Sequence, residues 1–580
     1  MCGIMGYIGS EPAANILLSG LEKLSYRGYD SAGIALHENN GLQMIKTAGR
    51  IDALRKKCHQ QSLFGTVGIG HTRWATHGPA TDLNAHPHAD ALRRIAVVHN
   101  GVIENHAALR SMLSDRGCSF VSDTDTECVA HLLRLLYDGD MLHTLLRAAR
   151  HLKGSYALAV LCADAPDAIY CIRCGSPLVL GVGENAGFLA SDIPALLPYT
   201  RNIAVLKDGE AAVLRRDGIL VSGKNGSSRR AETFRASWDA QDASLGAYPH
   251  YMLKEIFEQP QILSRNLPAN FPPVPDQVLL LGCGTAYHAC LLGAYYIETL
   301  AKLPAHIEIA SEYPCRAHFP QQNSLCIAVS QSGETADTLS AARLARSRGM
   351  QLVSLTNTLG STLQQTSDIS LITLAGPELS VASTKAYTAQ VMALLQLALH
   401  WSNTKLPLEN IPRWAQEALS LQDAIRTYIE PRVNKSLFLF IGRGADVITA
   451  REAALKFKEI TYIPAEACPA GELKHGTLAL ISKGTPVIAL CTQPEYLQKT
   501  LISLSECRAR GAECACFCLP SMKEEAEKAA EHVFVLSDMP PLLAPIVSII
   551  PLQLLAYHAA CALKRDVDKP RNLAKSVTVE

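Results

Sequence analysis

Short apolar runs separated by glycine and polar residues dominate the N-terminal region of the chain. Val67 to Gly70 and Ile95 to His99 predict strands, and the spacing predicts helices around 126–137 and 141–152. Such a mixture predicts stacked sheets with helices over residues 2–218. Residues 222–237, SGKNGSSRRAETFRAS, are polar and rich in Gly, Ser and Arg, so a linker is expected within 219–267. From about residue 268 the pattern changes to apolar strands followed by long amphipathic helices, as in parallel α/β units. That pattern repeats at an offset of about 160 residues. QVLLLGCGTAYHA (277–289) returns as LFLFIGRGADVITA (437–450), and LCIAVSQSGET (325–335) as PVIALCTQPEY (486–496). VMALLQLALH (391–400) returns as IIPLQLLAYH (549–558). Two homologous α/β domains are expected, at 268–408 and 430–570, with a tail at 571–580.

Composition narrows the class of function. Hydrophobic residues make up 48% and charged residues 19% of 580, as in a globular protein with more than one domain. Lys+Arg and Asp+Glu both number 54, so no global field favours nucleic acid or an anionic membrane, and neither is an expected partner. MCGIMGYIGS has no features of a secretory signal. The apolar stretch Pro545 to Leu563 contains Pro551, Gln553 and His558, which suits a buried helix better than a membrane span. Eighteen cysteines without framework spacing suit a reducing, cytoplasmic setting. Cys514, Cys516 and Cys518 alternate as core positions of a strand, and a metal site is the weaker reading.

Cys2 follows Met1 directly and precedes Gly3. Removal of the methionine would leave a free α-amine beside a thiol, so one residue would supply both nucleophile and general base. The two groups titrate near pH ~8 and ~8.5, close enough to exchange a proton. Taken alone, MCG is equally readable as an incidental cysteine. YRGYDSAG, with Arg27, Gly28, Asp30 and Ser31, is followed by HTRWATHG (71–78), HNGVIEN (99–105) and SDTDTE (122–127). These segments resemble the N-terminal-nucleophile glutamine amidotransferases, which have a four-layer α/β/β/α fold. The resemblance implies an oxyanion hole at Asn100 and Gly101, an Arg73 that grips the glutamine α-carboxylate, and an Asp125 that accepts from its α-ammonium. It puts Thr76 and His77 in the same pocket and Trp74 at the mouth of an ammonia passage; the residues alone leave Trp74 readable as core. A metal cluster among His71, His77, His86, His88 and His99 stays open as an alternative, although none is expected because several of these fall inside the motifs.

In the repeated region, Ser330-Gln331-Ser332-Gly333-Glu334-Thr335 lies between an apolar strand, Cys326 to Val329, and a helical run, Ala336 to Ser347. Backbone N–H groups and the positive end of a helix dipole make such a turn a phosphate cradle. Ordinary capping needs one hydroxyl, whereas this turn has three and an amide. Cys283-Gly284-Thr285 ends another strand at the same sheet edge. In the second repeat the cradle has become Cys491-Thr492-Gln493-Pro494, so one copy is expected to bind phosphate.

The doublet resembles the sugar isomerase (SIS) domains. VASTKAYT (381–388), ALKFKEITYIPAEACPAGELKHG (454–476) and DVDKPRNLAKSVTVE (566–580) narrow the resemblance to the glucosamine-6-phosphate synthase family, the glutamine–fructose-6-phosphate aminotransferases. It covers nearly the whole chain. It implies a glutaminase domain followed by two parallel-sheet SIS domains, acting on glutamine and fructose 6-phosphate in the first step of hexosamine synthesis. No cofactor is implied, and a homodimer joined through the SIS half is. His475 would assist ring opening, Glu459 would carry a proton between C1 and C2, and Lys575 would engage the open-chain ketone as a Schiff base. Lys456 would stabilise enolate-like charge, with a surface ion pair to Glu459 as the alternative. Ser383 would bind the open sugar, with Glu452 near it. The family has a serine after Cys-Gly-Thr where this chain has Ala286, so weaker phosphate affinity is expected unless Thr285 or a water substitutes. Other amide acceptors are disfavoured, since nothing resembles a phosphoribosyl-diphosphate loop or an SGGxDS motif. A sugar-phosphate sensor would need none of Glu459, His475 and Lys575.

Overall fold

The computed structural model describes residues 2–74, 77–223, 227–236, 238, 242, 244–265, 271–316 and 323–578. A pair of antiparallel sheets lies face to face in the N-terminal region. In the eight-stranded one, Gly3–Ile8 runs between Val67–Arg73 and Ala186–Ala190; in the seven-stranded one, Ile95–Ile103 pairs with Gly154–Cys162. Every residue of Gly3–Ile8 is buried because its two faces meet different apolar layers. Ile4 and Ile8 enter the seam between the sheets, with Val98 and Ala157 opposite. Met5 and Tyr7 lie beneath helices Ala13–Lys23 and Ile51–His59. Helices Asp125–Leu136 and Met141–Ala148 cover the far face of the other sheet, completing an α/β/β/α sandwich.

Both sheets extend into the polar stretch read as a linker. Gly218–Ser222 pairs with Ser228–Arg230, and Asn202–Val205 pairs with Phe234–Arg235. Edge strands with a wet face need few apolar residues, so composition conceals them.

Two five-stranded parallel sheets follow. The first runs Ala305–Ile309, Gln277–Gly282, Ser324–Ser330, Gln351–Thr356, Ile369–Ile372; the second runs Ala465–Pro469, Phe438–Gly442, Pro486–Cys491, Glu513–Cys518, His532–Val535. Gly284 and Gly444 take φ +54° and +58° just before helices Thr285–Tyr296 and Ala445–Thr461, so the repeat is structural as well as sequential. One apolar core runs through both sheets. Helix Ala544–Ala562 is apolar and long enough to cross a membrane, but it is 94% buried within that core.

The two copies differ at the cradle. Asp446 corresponds to Ala286, and its carboxylate accepts from Thr492 N at 2.8 Å and Thr492 Oγ1 at 2.5 Å. Burial pushes its pKa up to about 6 against the pull of those bonds. The second copy thus fills its turn with its own anion, while the first keeps a serine-rich turn facing a cavity.

Candidate active sites

Cys2 sits at the start of the strand paired with Val67–Arg73, which brings it beside Trp74. The Trp74 N–H donates to Cys2 Sγ at 3.3 Å, and the thiol reaches Trp74 O at 3.6 Å. Burial pushes the thiol pKa up, and both the Trp74 N–H and the Arg73 guanidinium pull it down. Arg73 and Asp125 both act on Cys2 electrostatically, giving the cation and anion that a zwitterionic amino acid needs. Arg73 donates to the carbonyls of His77, Gly78 and Pro79, bracing that turn. Asp125 Oδ2 accepts from Ile103 N at 2.9 Å and lies 3.8 Å from His99 Nδ1. Burial opposes its charge, but His99 and the Ile103 N–H outweigh that and hold its pKa below the usual value.

Asn100 and Gly101 arrive on the opposing sheet. Asn100 Nδ2 donates to Ser191 Oγ at 2.7 Å, and that oxygen also accepts from Ile4 N at 2.7 Å. Ser191 therefore ties Asn100 to the Cys2 strand, a role no local motif signals. Gly101 has φ +114°, and a Cβ there would meet Ser155 O at 1.9 Å, so only glycine fits. His77 packs edge-on against His106, and Trp74 edge-on against Tyr29. Thr76 lies outside the described residues.

The histidines do not converge on a metal. His71, His86, His88 and His99 are buried, and the His71 and His86 rings stack at 4.2 Å. Burial lowers all four pKa values, that of His88 to about 3. Among the described residues no group of three or more His, Cys, Asp or Glu is disposed to hold a metal ion.

A second site opens in the repeated region. Thr285, Ser330, Gln331, Ser332, Thr335, Ser383, Lys456, Glu459 and Lys575 line one cavity of about 300 Å³, and Ala286 lines it too. The turn is held by its own hydroxyls: Ser330 Oγ is 3.0 Å from Thr335 Oγ1 and accepts from Gly333 N at 3.0 Å. The tail closes over it, with Ser576 Oγ 2.8 Å from Ser332 Oγ and Ala336 N donating to Val577 O at 2.9 Å. On helix Ala445–Thr461, Lys456 Nζ lies 2.5 Å from Glu459 Oε2 and 3.5 Å from Glu452 Oε1. Lys456 is 1% exposed, which rules out a solvated surface pair. Burial acts against its charge, but Glu459 and Glu452 outweigh it and raise its pKa. Glu452 also accepts from Thr285 Oγ1 at 3.0 Å and sits 2.7 Å from His288 Nδ1.

Lys575 Nζ pairs with Glu378 and donates to Ser383 Oγ at 3.1 Å. His475 is not brought to this cavity. It is exposed on the short turn Leu473–His475 and does not line the cavity of its own chain.

The two sites are joined by a buried link. Arg173, on a strand of the N-terminal sandwich, donates to Thr362 Oγ1 and to Leu206 O at 3.2 Å. Thr362 in turn donates to Glu334 from its N–H at 2.8 Å and its hydroxyl at 2.7 Å. A narrow space of about 30 Å³ beside this link is lined by Arg27, Ser191 and Asp192 from one site and by Ser332 and Glu334 from the other.

Ala286 makes one quantitative prediction here. Ala286→Ser adds a hydroxyl on the cavity wall, and a hydrogen bond to a charged group is worth ~1.5–3 kcal/mol. Fructose 6-phosphate, measured by calorimetry, is expected to bind roughly tenfold tighter or better; unchanged affinity would mean that Thr285 or a water already fills the position.

Known proteins match over the whole length. The Glutamine amidotransferase domain family matches residues 71–198, and the SIS domain family matches 274–400 and 433–563. A glutamine–fructose-6-phosphate aminotransferase (isomerizing) from Symbiobacterium thermophilum is 46% identical over 614 residues, and one from Thermus thermophilus 45% over 606, each covering 100% of both chains. Among solved structures, the C-terminal domain of glucosamine-fructose-6-phosphate aminotransferase from Francisella tularensis aligns with TM-score 0.54 at 38% identity, covering 56% of this chain and 100% of that one.

Proposed function

Because the chain belongs to the isomerizing glutamine–fructose-6-phosphate aminotransferases, we propose roles for its residues in making glucosamine 6-phosphate and glutamate from fructose 6-phosphate and glutamine. Cys2, freed of Met1, attacks the glutamine amide, its own α-amine taking the thiol proton. Arg73 and Asp125 hold the carboxylate and ammonium ends of glutamine, and Asn100 with the Gly101 N–H stabilises the oxyanion. Ammonia leaves, and water later releases glutamate from the thioester. The narrow space between Arg27 and Ser332 is the passage, with Trp74 at its mouth. Its size suits one water-sized molecule such as ammonia.

At the other end the Ser330–Thr335 turn holds the phosphate, Lys575 captures the opened ketone, and ammonia displaces it at C2. Glu459 then moves a proton between C1 and C2, with Lys456 countering the enolate-like charge. His475 opens the ring in the cavity of a second copy, since it lies outside its own. The observation that carries this reading is the single cavity that gathers the phosphate turn, Glu459 and Lys575 from three separate segments. Incubation with glutamine and fructose 6-phosphate is expected to yield glucosamine 6-phosphate. No product from folded protein would overturn the reading.

A further inference from the structure

Glu378 lies behind the sugar cavity, against Lys575, without a role. Its Oε1 accepts from Thr384 N at 2.9 Å and Ala386 N at 3.0 Å, which leaves Oε2 for Lys575 Nζ. The Lys575 and Glu378 side chains are 3% and 0% exposed, so this ion pair is out of reach of bulk water. Schiff-base chemistry at Lys575 meets an obstacle here, because an ammonium has no lone pair. The proton must go somewhere, and Glu378 Oε2 is the acceptor in contact.

Burial opposes the Glu378 charge, but Lys575 and the two backbone N–H groups outweigh it and hold the pKa below the usual carboxylate value, so Glu378 rests as the anion that can receive the proton. Two more carboxyls approach from the linker helix Tyr251–Phe257 and its continuation. Glu258 takes Lys385 Nζ at 2.7 Å and also pairs with Lys254. Glu255 is 1% exposed; its Oε1 accepts from Leu379 N at 2.5 Å and Ser380 N at 3.2 Å, and its Oε2 has no hydrogen-bond partner among the described residues. Glu255 therefore grips the backbone just after Glu378 and forms no ion pair among the described residues. Burial and the nearby Glu378 charge push its pKa up to about 8, so near neutrality it is mostly the uncharged acid. Glu378 is thereby the carboxylate that pairs with Lys575.

We propose that Glu378 is a catalytic residue of the sugar half, taking from Lys575 the proton it must lose before attacking the ketone carbon. This rests on the Schiff-base reading of Lys575. The step balances: one proton passes from Nζ to Glu378 Oε2, and the freed lone pair bonds to C2. The carbonyl oxygen gains a proton from the attacking nitrogen. Glu378 then returns its proton to that hydroxyl, which leaves as water as the C=N bond forms. The net change is ketone plus ammonium to iminium plus water, with Glu378 restored.

Reductive trapping tests it. The full-length protein is incubated with fructose 6-phosphate and cyanoborohydride, and sugar attached at Lys575 is followed by peptide mass. Wild type is expected to label; if it does not, the Schiff-base reading fails before Glu378 is in question. Glu378→Gln keeps the side-chain volume and an acceptor for Thr384 N and Ala386 N, but it takes no proton. At neutral pH its labelling is expected to fall roughly 100-fold or more, because no carboxyl then takes the Nζ proton or returns one to the departing hydroxyl. Fructose 6-phosphate binding, measured by calorimetry, checks that the cavity is intact. Labelling at the wild-type rate with the wild-type pH profile overturns the proposal. Should Glu378→Gln not fold, Glu378→Asp keeps a carboxylate and is expected to retain measurable labelling with a wild-type pH profile; no labelling, or a profile shifted to high pH, overturns it as well.

Discussion

Cys2→Ala is expected to end glutamine-dependent product formation, with glutamate release falling by roughly 10⁴-fold or more. The reason is local. Cys2 Sγ, the proposed nucleophile, is held by the Trp74 amide and set within the fields of Arg73 and Asp125. Alanine keeps the backbone of Cys2, whose carbonyl accepts from Arg27 Nε at 3.3 Å, so glutamine should still bind. The burial that raises the thiol pKa also makes a nearby base necessary, which is why the α-amine exposed by methionine removal matters. Intact mass checks that removal, and enzymatic assay of glutamate checks the rate. The sugar cavity is built from other segments, so hexose-phosphate isomerisation should persist in the same variant. Glutamate release within tenfold of wild type would sink the assignment of Cys2.

Motifs expose what is local in sequence, and both sites are only partly local. HNGVIEN carries its message because Gly101 has φ +114° and no room for a Cβ, so one letter reports both a conformation and a site. The Ser330–Thr335 turn is legible for the same reason, since its hydroxyls bond within six residues. The repeat and the buried helix Ala544–Ala562 follow from periodicity, which survives averaging over many positions. Ser191 is different. It sits 91 positions from Asn100, and nothing beside it hints that its hydroxyl joins two strands. Glu378 and Glu255 are hidden likewise, because a carboxyl reads as solvated until burial is known. Arg173 reads as an ordinary strand residue, yet it is 1% exposed and ties the N-terminal sandwich to Thr362. The Lys456–Glu459 spacing left a surface pair open, and only burial decided between the readings. His475 shows the opposite limit: its motif marks it as chemical, while its single-chain position lies outside the cavity.

Lys575→Gln is expected to stop glucosamine 6-phosphate formation while glutamine hydrolysis continues. Glutamine is chosen because truncation to alanine would leave Glu378 a buried, unpaired charge, costing about 3–5 kcal/mol. The amide can still donate to Glu378 or to Ser383 Oγ, so a loss of product would report lost chemistry rather than lost fold. The same variant tests where His475 works. If each cavity takes Lys575 from one chain and His475 from its partner, Lys575→Gln and His475→Ala chains complement each other. Random re-association of equal amounts makes half of the dimers mixed, and one cavity in each mixed dimer regains both groups. About one quarter of wild-type activity is then expected from two nearly inactive proteins. If His475 instead served its own chain, every cavity would lack one group, and mixing would restore nothing. The exposed position of His475, outside the cavity of its own chain, favours recovery, and recovery would make ring opening a property of the dimer rather than of a single chain.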